Sequence, residues 1–142
     1  VETVNAEDYK FELGKGVVLR EGKDITLIAT GMMVQEAMKA STTLAEQGIE
    51  VYVINIHTIK PLDEALILNY AQRSKLVVTC EEHSKFGGLG SAVAETLSKN
   101  HPTKMAMVAV NDTFGESGTP AALIEKYGLT AKDIVATVLG SI

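Results

Sequence analysis

Leu76-Val77-Val78-Thr79-Cys80-Glu81-Glu82-His83-Ser84-Lys85-Phe86-Gly87-Gly88-Leu89-Gly90-Ser91 decides how the chain is read, because an apolar run ends abruptly in charges and then in a glycine-rich turn. Lys75 to Cys80 has the length and β-branched content of a strand covered on both faces. Beyond the turn, Leu89, Ala92, Val93, Thr96 and Leu97 recur at the spacing of one helix face. The unit is strand, loop, helix. In open α/β sheets, ligands and partners gather outside the carboxyl ends of the strands, where Glu81, Glu82, His83 and the glycines fall. The candidate anion or partner site is therefore Glu82, His83, Gly87, Gly88, Gly90 and Ser91.

The same alternation extends in both directions. Upstream, Gly16 to Arg20 and Asp24 to Thr30 are apolar runs joined by Glu21-Gly22-Lys23, a connection short enough for an antiparallel hairpin, so a mixed sheet is predicted. Met33, Ala37, Ala40 and Leu44 form one helical stripe that Gly48 ends as a left-handed cap. Glu50 to Ile56 reads as an interior parallel strand reached by a right-handed crossover. After the turn His57 to Asp63, Asp63 caps a helix whose buried face is Ile67, Tyr70 and Ala71, with Leu62 stapled on Ile67. His57 and Lys60 in that turn are further candidates for function.

Downstream, Asn100-His101-Pro102 ends the third helix and Lys104 to Val110 is predicted as another buried strand. Asn111 to Gly118 is a loop of turn residues at its carboxyl end. Thr119-Pro120 opens a short helix ended by Gly128. Thr130-Ala131-Lys132-Asp133 resembles a capping box for a last helix whose Ile134, Val135, Val138 and Leu139 are predicted to face the core. Val1 to Lys15 is polar and acidic without periodicity and is expected to be a linker from an upstream domain, leaving the compact domain over 16–142.

Composition bounds the function. A chain of 142 residues forms one domain that needs no metal or disulfide staple. The net charge of -5 and the scattering of 13 basic residues argue against nucleic acid and acidic membranes. No apolar run approaches the ~20 residues of a membrane helix, and no secretory pattern opens the chain. Cys80 is the single cysteine, so there is no internal disulfide, and the expected location is cytoplasmic. As a nucleophile Cys80 is disfavoured, because Glu81 and Glu82 would raise its pKa by repelling a thiolate.

The glycine turn puts backbone amides and the positive end of a helix dipole at one point, which suits a phosphate or carboxylate. Glycines there equally serve a tight turn and close helix packing. The dinucleotide pattern starting at Gly88 and Gly90 meets Val93 in place of its third glycine, although Asp112 could imitate the ribose-binding acid. Glu81 and Glu82 would repel a pyrophosphate. A metal is also poorly served: neighbours on an extended chain face opposite ways, so only Glu81 and His83 share a side unless Asp112 or Glu116 joins. Ser84, Ser91 and Ser117 lack a nucleophile elbow. No catalytic, cofactor-binding or metal residue is expected in this chain.

Ile25-Thr26-Leu27-Ile28-Ala29-Thr30-Gly31, Ile59-Lys60-Pro61-Leu62-Asp63, Glu81-Glu82-His83 with Gly87-Gly88-Leu89-Gly90, and Phe114-Gly115-Glu116-Ser117-Gly118 together resemble the C-terminal domain of transketolase-like thiamine diphosphate enzymes, from about Phe11 onward. The Phe114 to Gly118 segment is most similar to transketolases, and the whole to the small-subunit end of split transketolases. The resemblance implies a three-layer αβα sandwich on a mixed, mostly parallel five-stranded sheet with an antiparallel first strand. It implies a parent enzyme that moves two-carbon ketol units between sugar phosphates, with thiamine diphosphate and magnesium supplying the electron sink. The family's diphosphate-binding Gly-Asp-Gly segment and its activating glutamate lie upstream of the matched region. The fragment alone is therefore expected to be inactive and to support a dimer, its partners being the pyrimidine-binding and diphosphate-binding domains. The glutamate and glycine motifs are shared with deoxyxylulose-phosphate synthases and with 2-oxoacid dehydrogenase beta chains, where the equivalent domain docks an acyltransferase core. Those two readings remain alternatives, as does an anion- or nucleotide-binding regulatory domain.

Overall fold

Alternating apolar runs fold here into a sheet with helices on both faces. This computed structural model describes residues 14–84, 88–110 and 129–142. The strands are β1 Val17–Arg20, β2 Asp24–Ala29, β3 Tyr52–Asn55, β4 Ser74–Ser84 and β5 Met105–Val110. The helices are α1 Met33–Glu46, α2 Glu64–Ala71, α3 Leu89–Asn100 and α4 Ala131–Ser141. The predicted loop at 111–118 and the helix opened by Thr119-Pro120 lie outside the described residues.

The sheet order is β1-β3-β2-β4-β5. Strands β2 to β5 are mutually parallel, and among the described strands β1 alone runs antiparallel, against β3. Two apolar layers follow from strand alternation. Ile25, Leu27 and Ala29 of β2 and Leu76, Val78 and Cys80 of β4 pack with Met33, Ala37 and Leu44 of α1 and Ile134 and Val138 of α4. On the other face, Ile28, Ile54 and Val77 meet Ile67 and Tyr70 of α2 and Leu89, Val93 and Leu97 of α3. The implied three-layer αβα arrangement is thus present.

The predicted hairpin between β1 and β2 is not. Mixed polarity arises because β1 crosses to the far side of β3. Gly22 lies so close to the backbone of Val51 and Tyr52 that a Cβ there would overlap it. The Lys23 amide donates to the Glu50 carbonyl at 3.0 Å, which ties the connection beneath the start of β3. A three-residue link that reads locally as a hairpin is here a passage under a neighbouring strand.

Local signals hold at the helix ends. Asp63 Oδ1 accepts from the Leu66 amide at 3.2 Å and its Oδ2 from the Gly16 amide at 2.9 Å, so one carboxylate caps α2 and pins the incoming chain. Gly48, at φ 80, ends α1 as predicted, with the Ile49 amide reaching back to the Leu44 carbonyl at 2.9 Å. Thr130 donates its amide to Asp133 Oδ2 at 2.8 Å, the predicted capping box. Two expectations fail by degree. Leu139 is 41% exposed instead of facing the core, whereas Ile134 and Val138 are buried. Strand β5 pairs only with β4 in the described sheet, so Met107 is exposed where a buried strand was predicted.

Candidate functional site

Strand β4 continues past its predicted end at Cys80 to Ser84, carrying Glu81 and Glu82 outward at the carboxyl edge. Alternation sends the two carboxylates to opposite faces. Glu81 is fully buried on the α3 side, beneath the first turn of that helix. Its Oε1 accepts from the Leu89 amide at 2.9 Å and its Oε2 from the Gly90 amide at 2.7 Å. The α3 cap residue, Gly88, has no side chain with which to do this. A carboxylate from the neighbouring strand fills the place of an N-cap, at the end of the helix whose dipole favours negative charge.

This arrangement corrects one expectation. The amides of Leu89 and Gly90 are not free, because the chain's own carboxylate holds both. An external phosphate at Gly88 or Gly90 would have to displace a buried charge that has no other described hydrogen-bond partner. Glu82 is half-buried on the other side, with its carboxylate lying on Gly31 just before α1. The His83 side chain and Gly87 lie outside the described residues. Among the described residues, no three His, Cys, Asp or Glu side chains converge as a metal site.

Ser91 and Gly88 both line an open cleft of about 450 Å³ between the first turns of α3 and the turn ahead of α2. Lys60, Pro61 and Leu62 form its facing wall. His57, in the same turn, has its imidazole pushed below the ordinary value by burial. Sequence reasoning named Lys60 and Ser91 separately, and the fold brings them to one cleft.

Cys80 is fully buried, and burial, with the Glu81 charge adding, pushes its thiol up to about 12. Burial and a raised pKa both withhold the thiolate that a nucleophile needs. A raised native pKa means that the unfolded chain releases its proton first. The stabilising contribution is therefore complete below the ordinary value of 9.0 and is lost as pH rises toward about 12. Urea melts should show stability falling above pH 9 by up to about 1.4 kcal/mol per pH unit from this group, a slope that Cys80→Ala removes. An unchanged slope in the variant would contradict the assignment.

Thr79 was not singled out by sequence. Its hydroxyl is buried and, among the described residues, has no hydrogen-bond partner. Deleting an unsatisfied hydroxyl while keeping the side chain's shape removes a desolvation cost. Thr79→Val is therefore expected to be neutral or stabilising by about 1 kcal/mol in urea denaturation, and a clear loss would reveal a partner for the hydroxyl.

With this geometry in view, likeness to known proteins is informative. Residues 14–134 match the family described as "Transketolase, C-terminal domain". A 6-deoxy-6-sulfo-D-fructose transketolase subunit from a Clostridium species is 51% identical over 93% of this chain and 41% of its own length. A putative transketolase C-terminal section from Methanocaldococcus jannaschii is 43% identical over 95% of this chain and 42% of its own. A 1-deoxy-D-xylulose-5-phosphate synthase from Desulforudis audaxviator is 47% identical over 88% of this chain but only 20% of its own. Among solved structures, a split gene transketolase chain from an inactive beta4 tetramer superimposes with a TM-score of 0.92 at 50% identity, covering 99% of this chain and 46% of that one. The chain thus spans less than half the length of these relatives.

Proposed function

Because the chain belongs to the transketolase C-terminal domain family, we propose that it is the supporting third domain of a transketolase assembled from separate subunits, one that moves a two-carbon ketol unit from a ketose to an aldose. The reacting cofactor, thiamine diphosphate, sits in this reading on other domains of the parent. The bridge from Glu81 to Leu89 and Gly90 carries the argument. The described residues do not fit a diphosphate: the α3 amides that would cradle it already hold a carboxylate, and Glu82 adds a second negative charge at the same rim. A helix end neutralised from within is rigid scaffolding, suited to holding neighbouring domains in place.

The identity to split transketolase subunits supports partner subunits for this chain as well. The donor would be a ketose bearing an anionic group, a phosphorylated ketopentose or a sulfonated ketose. The chain alone, supplied with thiamine diphosphate, magnesium and either donor, is expected to show no ketol transfer. Assembled with the portions that its relatives carry outside the matched region, it should transfer. Turnover by the chain alone would overturn the reading. The likeness to deoxyxylulose-phosphate synthase supports a second reading, in which the assembled enzyme consumes pyruvate. Release of carbon dioxide from pyruvate with a triose phosphate acceptor would favour it.

A further inference from the structure

Met107 on β5 sits opposite Thr79 on β4, with both side chains directed at the first turn of α3. The Met107 sulfur and the Thr79 hydroxyl lie 2.8 and 3.1 Å from the point that a Cβ on Gly90 would occupy. Their surroundings differ. Thr79 is 1% exposed and its hydroxyl has no acceptor among the described residues, whereas Met107 is 37% exposed. Buried hydroxyls are nearly always bonded, so this donor is an unmet demand. A thioether sulfur answers it poorly, being a weak acceptor, while oxidation turns the same side chain polar by adding an oxygen. Strand β5 is an edge of the described sheet, so a small oxidant can approach from solvent.

We propose that Met107 is a peroxide-oxidisable modification site whose sulfoxide oxygen is received by the Thr79 hydroxyl. The sulfur lone pair attacks one oxygen of hydrogen peroxide, forming the S–O bond as the O–O bond breaks. The other oxygen leaves as water after proton transfer. Sulfur is oxidised by two electrons and peroxide is reduced by two. The Thr79 O–H then donates to the sulfoxide, linking β4 to β5 beneath the turn that Glu81 holds. The neighbouring Cys80 is fully buried and does not compete.

The test is peroxide treatment of the folded chain, followed by peptide mass spectrometry and thermal melting. Met107 should gain one oxygen several-fold faster than Met32, Met38 or Met105, and fully buried Met33 should lag furthest. Oxidised wild type should melt within about 2 °C of the reduced protein, whereas oxidised Thr79→Val, which strands the sulfoxide, should fall by roughly 4–8 °C. Met107→Leu, with no sulfur at this position, should show no peroxide-dependent shift. The proposal is overturned if Met107 reacts no faster than Met105. It is equally overturned if oxidation shifts wild type and Thr79→Val alike, or if Met107→Leu shifts as wild type does.

Discussion

Glu81→Ala should lower the stability of the folded chain by roughly 3–5 kcal/mol, the largest effect expected of any substitution at the carboxyl edge. Two buried amides, those of Leu89 and Gly90, lose their acceptor at once, and each unsatisfied donor costs about 1–3 kcal/mol. A void replaces the carboxylate, and α3 loses the charge that complements its dipole. Glu81→Gln keeps the volume but offers one acceptor oxygen and turns an NH2 toward the second amide, so about half the loss is expected. Urea denaturation of both variants checks the series. A change below about 1 kcal/mol for the alanine variant would mean that the bridge carries no net stabilisation. Because the substitution unseats the start of α3, slower hydrogen exchange at Val93 and Leu97 than at Leu89 would locate the damage at the turn.

Gly22→Ala is the second large effect, and it tests the topology. The methyl group would have to enter the backbone of Val51 and Tyr52, which cannot rotate away as a side chain can. A cost of at least about 3 kcal/mol is expected, at the top of the overpacking range. Gly48→Ala provides the contrast. Among the described residues nothing lies within 4 Å of a Cβ there, so only the left-handed backbone at φ 80 is penalised, at about 1–2 kcal/mol. If Gly22→Ala proves milder than Gly48→Ala, the passage of the β1–β2 link beneath the start of β3 is wrong. Should the Gly22 variant not accumulate as soluble protein while the Gly48 variant does, the ranking is upheld by the same logic.

What could be read from the sequence was what neighbouring residues decide among themselves. Asp63, Gly48 and the Thr130 to Asp133 box act within one helical turn, and each appears where its residue type requires. Burial of Ile67, Tyr70 and Ala71 followed from period alone. The partner of β1 could not be read this way. Glu21-Gly22-Lys23 suits a hairpin by length, and only the close approach to Val51, some thirty residues on in the chain, selects β3 instead. Likewise, alternation placed Glu81 and Glu82 on opposite faces, but the acceptor role of Glu81 depends on where α3 lands. Leu139 was misjudged because an apolar residue near the last turn of α4 looks the same whether or not another layer covers it. Thr79 gave no signal, since an unpaired hydroxyl in a strand reads as an ordinary β-former.

The single reversed strand has a practical corollary. Because β1 runs against β3, Gly16 sits beside Asp63 at the rim where the parallel strands finish. The last turn of α4, by contrast, is fastened by the Lys104 ammonium to the Ser141 carbonyl at 2.6 Å, at the rim where β5 begins. An affinity handle or fluorophore fused after Ile142 would therefore emerge on the side remote from the Glu81 edge. Surface immobilisation through it would leave that edge facing the bulk solution, free to meet a subunit injected over it.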